Sequence, residues 1–150
     1  MENLRQKPFY LSDEDIKWVE NTLEGMTLEE KVGQLFCLVA YSDDKEYLKN
    51  LLDTVKPCGI MCRAMSLEQV VETNRFLQEN SKLPMLISAN LEKGGNGAIL
   101  EGTSFGSPME VGATKDYNMA YKLGDVCGRE GSAVGINWSF APIIDIDYNF

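Results

Sequence analysis

The chain has 150 residues, 44% hydrophobic and 25% charged, with 23 acidic against 14 basic side chains and a net charge of −9. That length holds one domain with a core of its own, and no apolar run nears the ~20 residues that span a bilayer. The acidic balance repels phosphate backbones and excludes nucleic acid as an expected partner, and the absence of histidine excludes Ser-His-Asp, Cys-His and HExxH sites built from this chain alone.

The first twelve residues carry Lys and Arg but no apolar h-region, so no secretory leader is expected and the localisation reads as cytoplasmic. Cys37, Cys58, Cys62 and Cys127 form no CxxC pair. Without histidine a zinc site would need all four thiolates at uneven spacing, so the expectation is no metal, no cofactor, and buried reduced thiols.

In chain order, Ser12 caps a predicted helix to Gly25, with Asp13, Glu14 and Asp15 at its positive end and Ile16, Val19 and Leu23 as its apolar stripe. Thr27 with Glu30 is a capping box opening a second helix, whose Val32, Leu35 and Phe36 share one face. Residues 36–41 read as the first strand. A helix over 43–55 turns Tyr47, Leu48, Leu51 and Leu52 inward, and Gly59 to Arg63 is the second strand. Ser66 with Gln69 starts another capped helix to about Asn80, with Leu67, Val70, Val71, Asn74 and Leu77 on one side.

The stretch 83–97 follows, Leu-Pro-Met-Leu-Ile-Ser-Ala-Asn-Leu-Glu-Lys-Gly-Gly-Asn-Gly. It reads as a third buried strand over 85–91 that hands Asn90 and Glu92 to a glycine-rich turn, the place where α/β proteins keep their chemistry. A long loop runs through Gly102, Gly106 and Pro108. Thr114 is then expected to cap a helix to about Val134, with Tyr117, Ala120, Leu123, Val126 and Cys127 inward, before a fourth strand over 137–144.

Strands alternating with helices argue for a parallel α/β sheet with right-handed crossovers. The sequence stops just after the fourth strand, which would leave a half-covered edge. The expectation is therefore the first four βα units, a half barrel, of a TIM-type (β/α)8 barrel, whose usual length is ~250 residues.

Four ordered segments carry a resemblance: 26–36 (Met-Thr-Leu-Glu-Glu-Lys-Val-Gly-Gln-Leu-Phe), 84–95 (Pro-Met-Leu-Ile-Ser-Ala-Asn-Leu-Glu-Lys-Gly-Gly), 109–114 (Met-Glu-Val-Gly-Ala-Thr) and 135–146 (Gly-Ile-Asn-Trp-Ser-Phe-Ala-Pro-Ile-Ile-Asp-Ile). Together they resemble the amino-terminal barrel domain of glycoside hydrolase family 3, closest to its β-N-acetylhexosaminidase branch. The resemblance divides the chain into a helical lead-in, 1–25, and the first half of that barrel, 26–150.

It implies retaining hydrolysis of a terminal β-linked sugar through a glycosyl-enzyme intermediate. The family's aspartate nucleophile and the branch's His-Asp pair would lie beyond Phe150, so no catalytic residue is expected within this chain, and the missing histidine agrees with a truncated barrel. The family's strand-three motif reads Asp-Gln-Glu-Gly-Gly-Arg. Here Asn90 stands in place of the aspartate and Lys93 is inserted, which trades a charged hydrogen-bond partner for a neutral one.

Asn90, Glu92 and Asp145 are thus the expected substrate-binding residues, with Glu92 expected to hold the glycine turn rather than to catalyse. Asp145 either lines the pocket or caps backbone amides at the strand end. Glu92 and Asp145 fall at the ends of adjacent predicted strands, so the ~5 Å of a retaining pair is open to them, but half a pocket does not exclude water.

The partners expected are a small carbohydrate and, because half a barrel leaves edges and apolar faces uncovered, further copies of the chain; no membrane is expected. The alternative is a stand-alone, non-catalytic α/β module that binds carbohydrate or a protein. An open nucleotide-binding sheet is disfavoured, since the early strand turns lack GxGxxG and the chain has no GxxxxGK[ST].

Overall fold

Four short strands form in the computed structural model, which describes residues 3–145: β1 (Cys37–Ala40), β2 (Gly59–Cys62), β3 (Leu86–Ala89) and β4 (Trp138–Ser139). They pair in parallel in the order β1-β2-β3-β4. Chain order and spatial order coincide, with helical segments in every crossover, which is the winding of a (β/α) barrel; a doubly wound sheet would reverse order at a switch point. Four strands are half of such a barrel.

The helices are α1 (Asp13–Glu24), α2 (Leu28–Gly33), α3 (Lys45–Val55), α4 (Leu67–Asn80), α5 (Pro108–Ala113) and α6 (Tyr117–Ala133). Local chemistry sets their starts. Ser12, Thr27, Ser66 and Ser107 each accept from the N3 amide while the N3 side chain accepts back from the cap amide, satisfying donors that a helix start leaves bare. Asp44 and Asp116 cap α3 and α6.

Two predicted elements are redrawn. Thr114 ends α5, a short helix in the stretch expected to be loop, so α6 begins only after Asp116. The fourth strand is shorter than expected. Ala141 donates to the Ser139 hydroxyl instead of a ladder partner, and Pro142 has no N–H to give.

Side-chain alternation gives the sheet two faces. Ala40, Ile60, Cys62, Ile87 and Ala89 point to the helices and form one buried core with Leu48 and Leu52 of α3 and Val70 and Leu77 of α4. The other face is the barrel lumen. Register aligns Cys37 with Gly59 and Leu86, and Val39 with Met61, Ser88 and Trp138. Leu86 remains 43% exposed there, because half a barrel has no opposite wall.

Incomplete cover also explains side chains that the periodicity turns inward and the structure leaves outside. Leu35 is 81% exposed and Tyr117 94%. On α6 only Cys127 and Gly131, in its second half, are buried.

The N-terminal ends of the strands are clamped by close contact and side-chain bonds. A Cβ on Gly33 would sit 2.6 Å from the Lys56 carbonyl oxygen, so glycine alone lets α2 reach the end of α3, and Gln34 donates to that same oxygen at 2.9 Å. Gln78 exchanges two bonds with the Met85 backbone. Asn137 accepts from the Ile87 amide at 2.8 Å and donates to the Met85 carbonyl at 3.0 Å, fastening β4 onto β3. Inside, Asn74 of α4 donates to the Val134 carbonyl at 2.7 Å, tying α4 to the end of α6.

Candidate functional site

At the carboxyl ends of the strands, the residue that follows each one continues the lumenal alternation: Tyr41, Arg63, Asn90 and Phe140. This rim is where barrel enzymes assemble their sites. The Arg63 guanidinium lies 5.2 Å from the centre of the Tyr41 ring, and Trp138 and Phe140 pack edge to face at 4.8 Å. Arg63 makes no ion pair with any described residue. Between β1 and β2 the rim opens into a cleft of about 180 Å³ lined by Tyr41, Asp43, Arg63, Met65 and Gln69, in which Gln69 donates to Asp43 at 2.9 Å.

Asn90 is exposed, and its side chain has no hydrogen bond to the described residues. Its amide can therefore both donate and accept toward a ligand. Glu92 is half-buried and likewise bonds to none of them, so it does not hold the glycine turn as the sequence suggested.

The turn is held by others. The Lys93 carbonyl accepts from the Phe105 amide at 2.7 Å and the Gly106 amide at 3.2 Å. Met65 trades backbone bonds with Ala98 and Leu100, tying the far side of the loop to the segment after β2. Gly94, at φ +136°, could not carry a side chain without striking the Thr103 carbonyl.

Asp145 is exposed and lies well past Ser139, the last residue of β4. It is not at a strand end, so it neither continues the lumenal alternation nor caps the strand. No group of three His, Cys, Asp or Glu residues is arranged to hold a metal ion among the described residues. Three of the cysteines offer no ready nucleophile: burial pushes the Cys62 thiol up to about 11, and burial also raises Cys58 and Cys127.

Sequence reasoning missed three rim residues, Tyr41, Arg63 and Phe140. For two of them the signal was present, since Tyr41 directly follows Cys-Leu-Val-Ala and Arg63 directly follows Gly-Ile-Met-Cys, whereas Phe140 follows the polar Ser139. A second cleft of about 180 Å³, lined by Met26, Glu30, Gln34, Lys56, Lys82 and Pro84, lies at the opposite end of the sheet, where barrels invest in stability.

Comparison with known proteins agrees with this geometry. A β-N-acetylglucosaminidase/β-glucosidase of Cellulomonas fimi is 43% identical over the whole chain, which spans 27% of that relative, and a β-hexosaminidase A of Pseudoalteromonas piscicida is 35% identical over 77 residues, 48% of this chain and 13% of that one. Two solved structures of the β-glucoside phosphorylase BglX, one bound to 2FGlc, are 44% identical and superpose over 97% of the chain with TM-scores of 0.86 and 0.84. The chain covers 27% and 26% of those proteins, so it spans about a quarter of the relatives it matches along its length. The sequence profile of the glycosyl hydrolase family 3 N-terminal domain matches residues 27–149, and the chain belongs to that family.

Proposed function

We propose that these residues form the first half of a barrel that removes terminal β-linked glucose or N-acetylglucosamine with retention, the nucleophile and the acid/base group coming from polypeptide outside the 150 residues. On this reading the chain alone does not turn over. The observation that carries the proposal is the rim itself, where the Arg63 and Asn90 side chains form no hydrogen bond with the described residues and stand beside the aromatic rings of Tyr41, Trp138 and Phe140.

Sugars ask for such a surface: an amide or guanidinium for hydroxyls, and an aromatic face or edge for the C–H side of the ring. Asn90 would bond sugar hydroxyls, with Glu92 as a further pocket group. The rest of the barrel, or a second copy if the chain stands by itself, would cover the lumenal apolar side chains and the outer edges of β1 and β4. Four free cysteines support a reducing compartment such as the cytoplasm as part of the same reading.

A second reading concerns the acceptor. The solved neighbours are named as phosphorylases, which favours inorganic phosphate in place of water as the group that takes the sugar from the enzyme. Arg63 is a cation suited to that anion.

The test is to express the complete natural gene product and assay 4-nitrophenyl β-N-acetylglucosaminide and β-glucoside with and without phosphate. Release of nitrophenol with free sugar supports hydrolysis, and sugar 1-phosphate formed only when phosphate is present supports phosphorolysis. No release from either substrate under either condition overturns the proposal and favours a non-catalytic binding module.

A further inference from the structure

The loop after β3 carries two of the three expected sugar-binding residues, yet neither of them holds it. Its seat is one face of α6, where Cys127, Glu130 and Gly131 lie three and four positions apart. Cys127 is buried in the same core cluster as Leu91 and Ala98 of the loop. A Cβ on Gly131 would stand 2.6 Å from Leu91 Cδ1, so the helix is hollowed at that point to accept the residue next to Asn90.

Glu130 grips what remains. One carboxylate oxygen accepts the Thr103 amide at 2.9 Å, and the other accepts the Thr103 hydroxyl. Bonds to an ionised carboxylate are about twice as strong as neutral ones.

Thr103 is the hub of the loop. Its carbonyl accepts from the Asn96 amide at 3.3 Å and lies where a Cβ of Gly94 would stand. Gly95 packs so closely on Glu130 that any side chain there would overlap the carboxylate. Gly97, on the 3-10 turn Gly95–Gly97, packs against the backbone carbonyl of Asn90 so that a Cβ would overlap it. An unbroken series of contacts therefore runs from Glu130 through Thr103 and the glycine turn to Asn90.

We infer that Glu130 is the positioning residue of this site: by holding Thr103 it fixes the glycine turn against Asn90 and so sets where that side chain stands on the barrel rim. The catalytic consequence rests on the sugar-transfer reading above, whereas the structural consequence does not.

The test uses the complete natural protein with Glu130→Ala, Glu130→Gln, Asn90→Ala and the double variant of Asn90→Ala with Glu130→Ala. Asp125→Asn is the control: it breaks an exposed ion pair with Arg129 on the same helix. Amide hydrogen exchange is followed over residues 93–106, and kcat and KM are measured on the preferred aryl glycoside.

Glu130→Ala should speed exchange in that segment and not elsewhere, and should lower kcat/KM about a hundredfold, the scale of a small misplacement at a reacting centre. Glu130→Gln, which keeps a carbonyl acceptor for one Thr103 donor, should fall between, and Asp125→Asn should match the wild type. The loss from Glu130→Ala should largely disappear when Asn90 is already alanine, because the effect travels through that side chain.

Unchanged exchange over 93–106, or an equal kcat/KM loss in both backgrounds, overturns the inference. If the wild-type protein processes no sugar, the proposed function fails, and the exchange result alone decides whether Glu130 holds the loop. Should Glu130→Ala fail to fold, Glu130→Gln and Thr103→Val carry the same comparison.

Discussion

The two ends of the sheet are built from opposite materials. At the N-terminal ends of the strands the amide side chains are spent on the backbone: Gln34 on Lys56, Gln78 on both sides of Met85, Asn137 across to Ile87 and Met85. At the C-terminal ends, Arg63, Asn90 and Glu92 form no hydrogen bond with the described residues. Satisfied groups stabilise a fold and leave nothing for a ligand, whereas free donors and acceptors held on a rigid sheet are what a binding site requires. Barrels divide stability from chemistry in this way, and the division is already present in half of one.

Breaking the clamped end should cost most. Gly33→Val would drive a branched side chain into the carbonyls of Val55 and Lys56, backbone atoms that have nowhere to go. Overpacking of this kind should destabilise the protein by about 3 kcal/mol, read as a fall in the urea midpoint with little change in slope. Asn137→Ala comes next. It leaves the Ile87 amide without its 2.8 Å acceptor and loosens β4, for a loss of about 2 kcal/mol by the same measurement.

How much of this was legible in the sequence depended on how far apart the partners lie. Capping boxes are local, and Thr27 and Ser66 announced their helices because the partner side chain is three residues away. The stripe of Val70, Asn74 and Leu77 on α4 was legible from period alone.

Periodicity says that a face is apolar and not what covers it, which is why Leu35 and Tyr117 read as inward and stand outside. Ser107 and Glu110 carried the signature of α5 as plainly as the other boxes, but the glycines around them drew the reading toward loop. The holder of the turn was least legible. Sequence favoured Glu92, beside the glycines, whereas Glu130 does that work from 27 residues beyond Thr103, a contact only the fold creates.

A smaller effect distinguishes the clamped end by pH. The Lys82 ammonium and the Thr27 amide bond the Glu30 carboxylate and hold it below its ordinary value of 4.5. A carboxylate depressed on folding stabilises above its unfolded pKa, and that contribution fades as pH falls through the lower, folded value. The wild-type urea midpoint should therefore exceed that of Glu30→Gln at neutral pH, and the gap should close on acidification. A gap that stays constant to the acid limit would mean that Glu30 acts through packing rather than charge.

The smallest expected effect on stability sharpens the comparison most, because it lies at the rim. Asn90→Ala and Arg63→Ala remove exposed side chains that bond to no described residue, and substitutions of that kind stay within about 0.5 kcal/mol. Their urea midpoints should match the wild type, and Arg63→Ala should lose only its contact with the Tyr41 ring. Removing bonds made by Asn137 weakens the fold because those bonds are made in the free protein. Removing Asn90 should leave the fold as it was, since its side chain bonds to no described residue, and on the proposed function the loss should fall on sugar affinity or turnover instead. A destabilised Asn90→Ala would mean that the amide has an intramolecular task, and the distinction between the two ends of the sheet would then fail at the residue where it matters most.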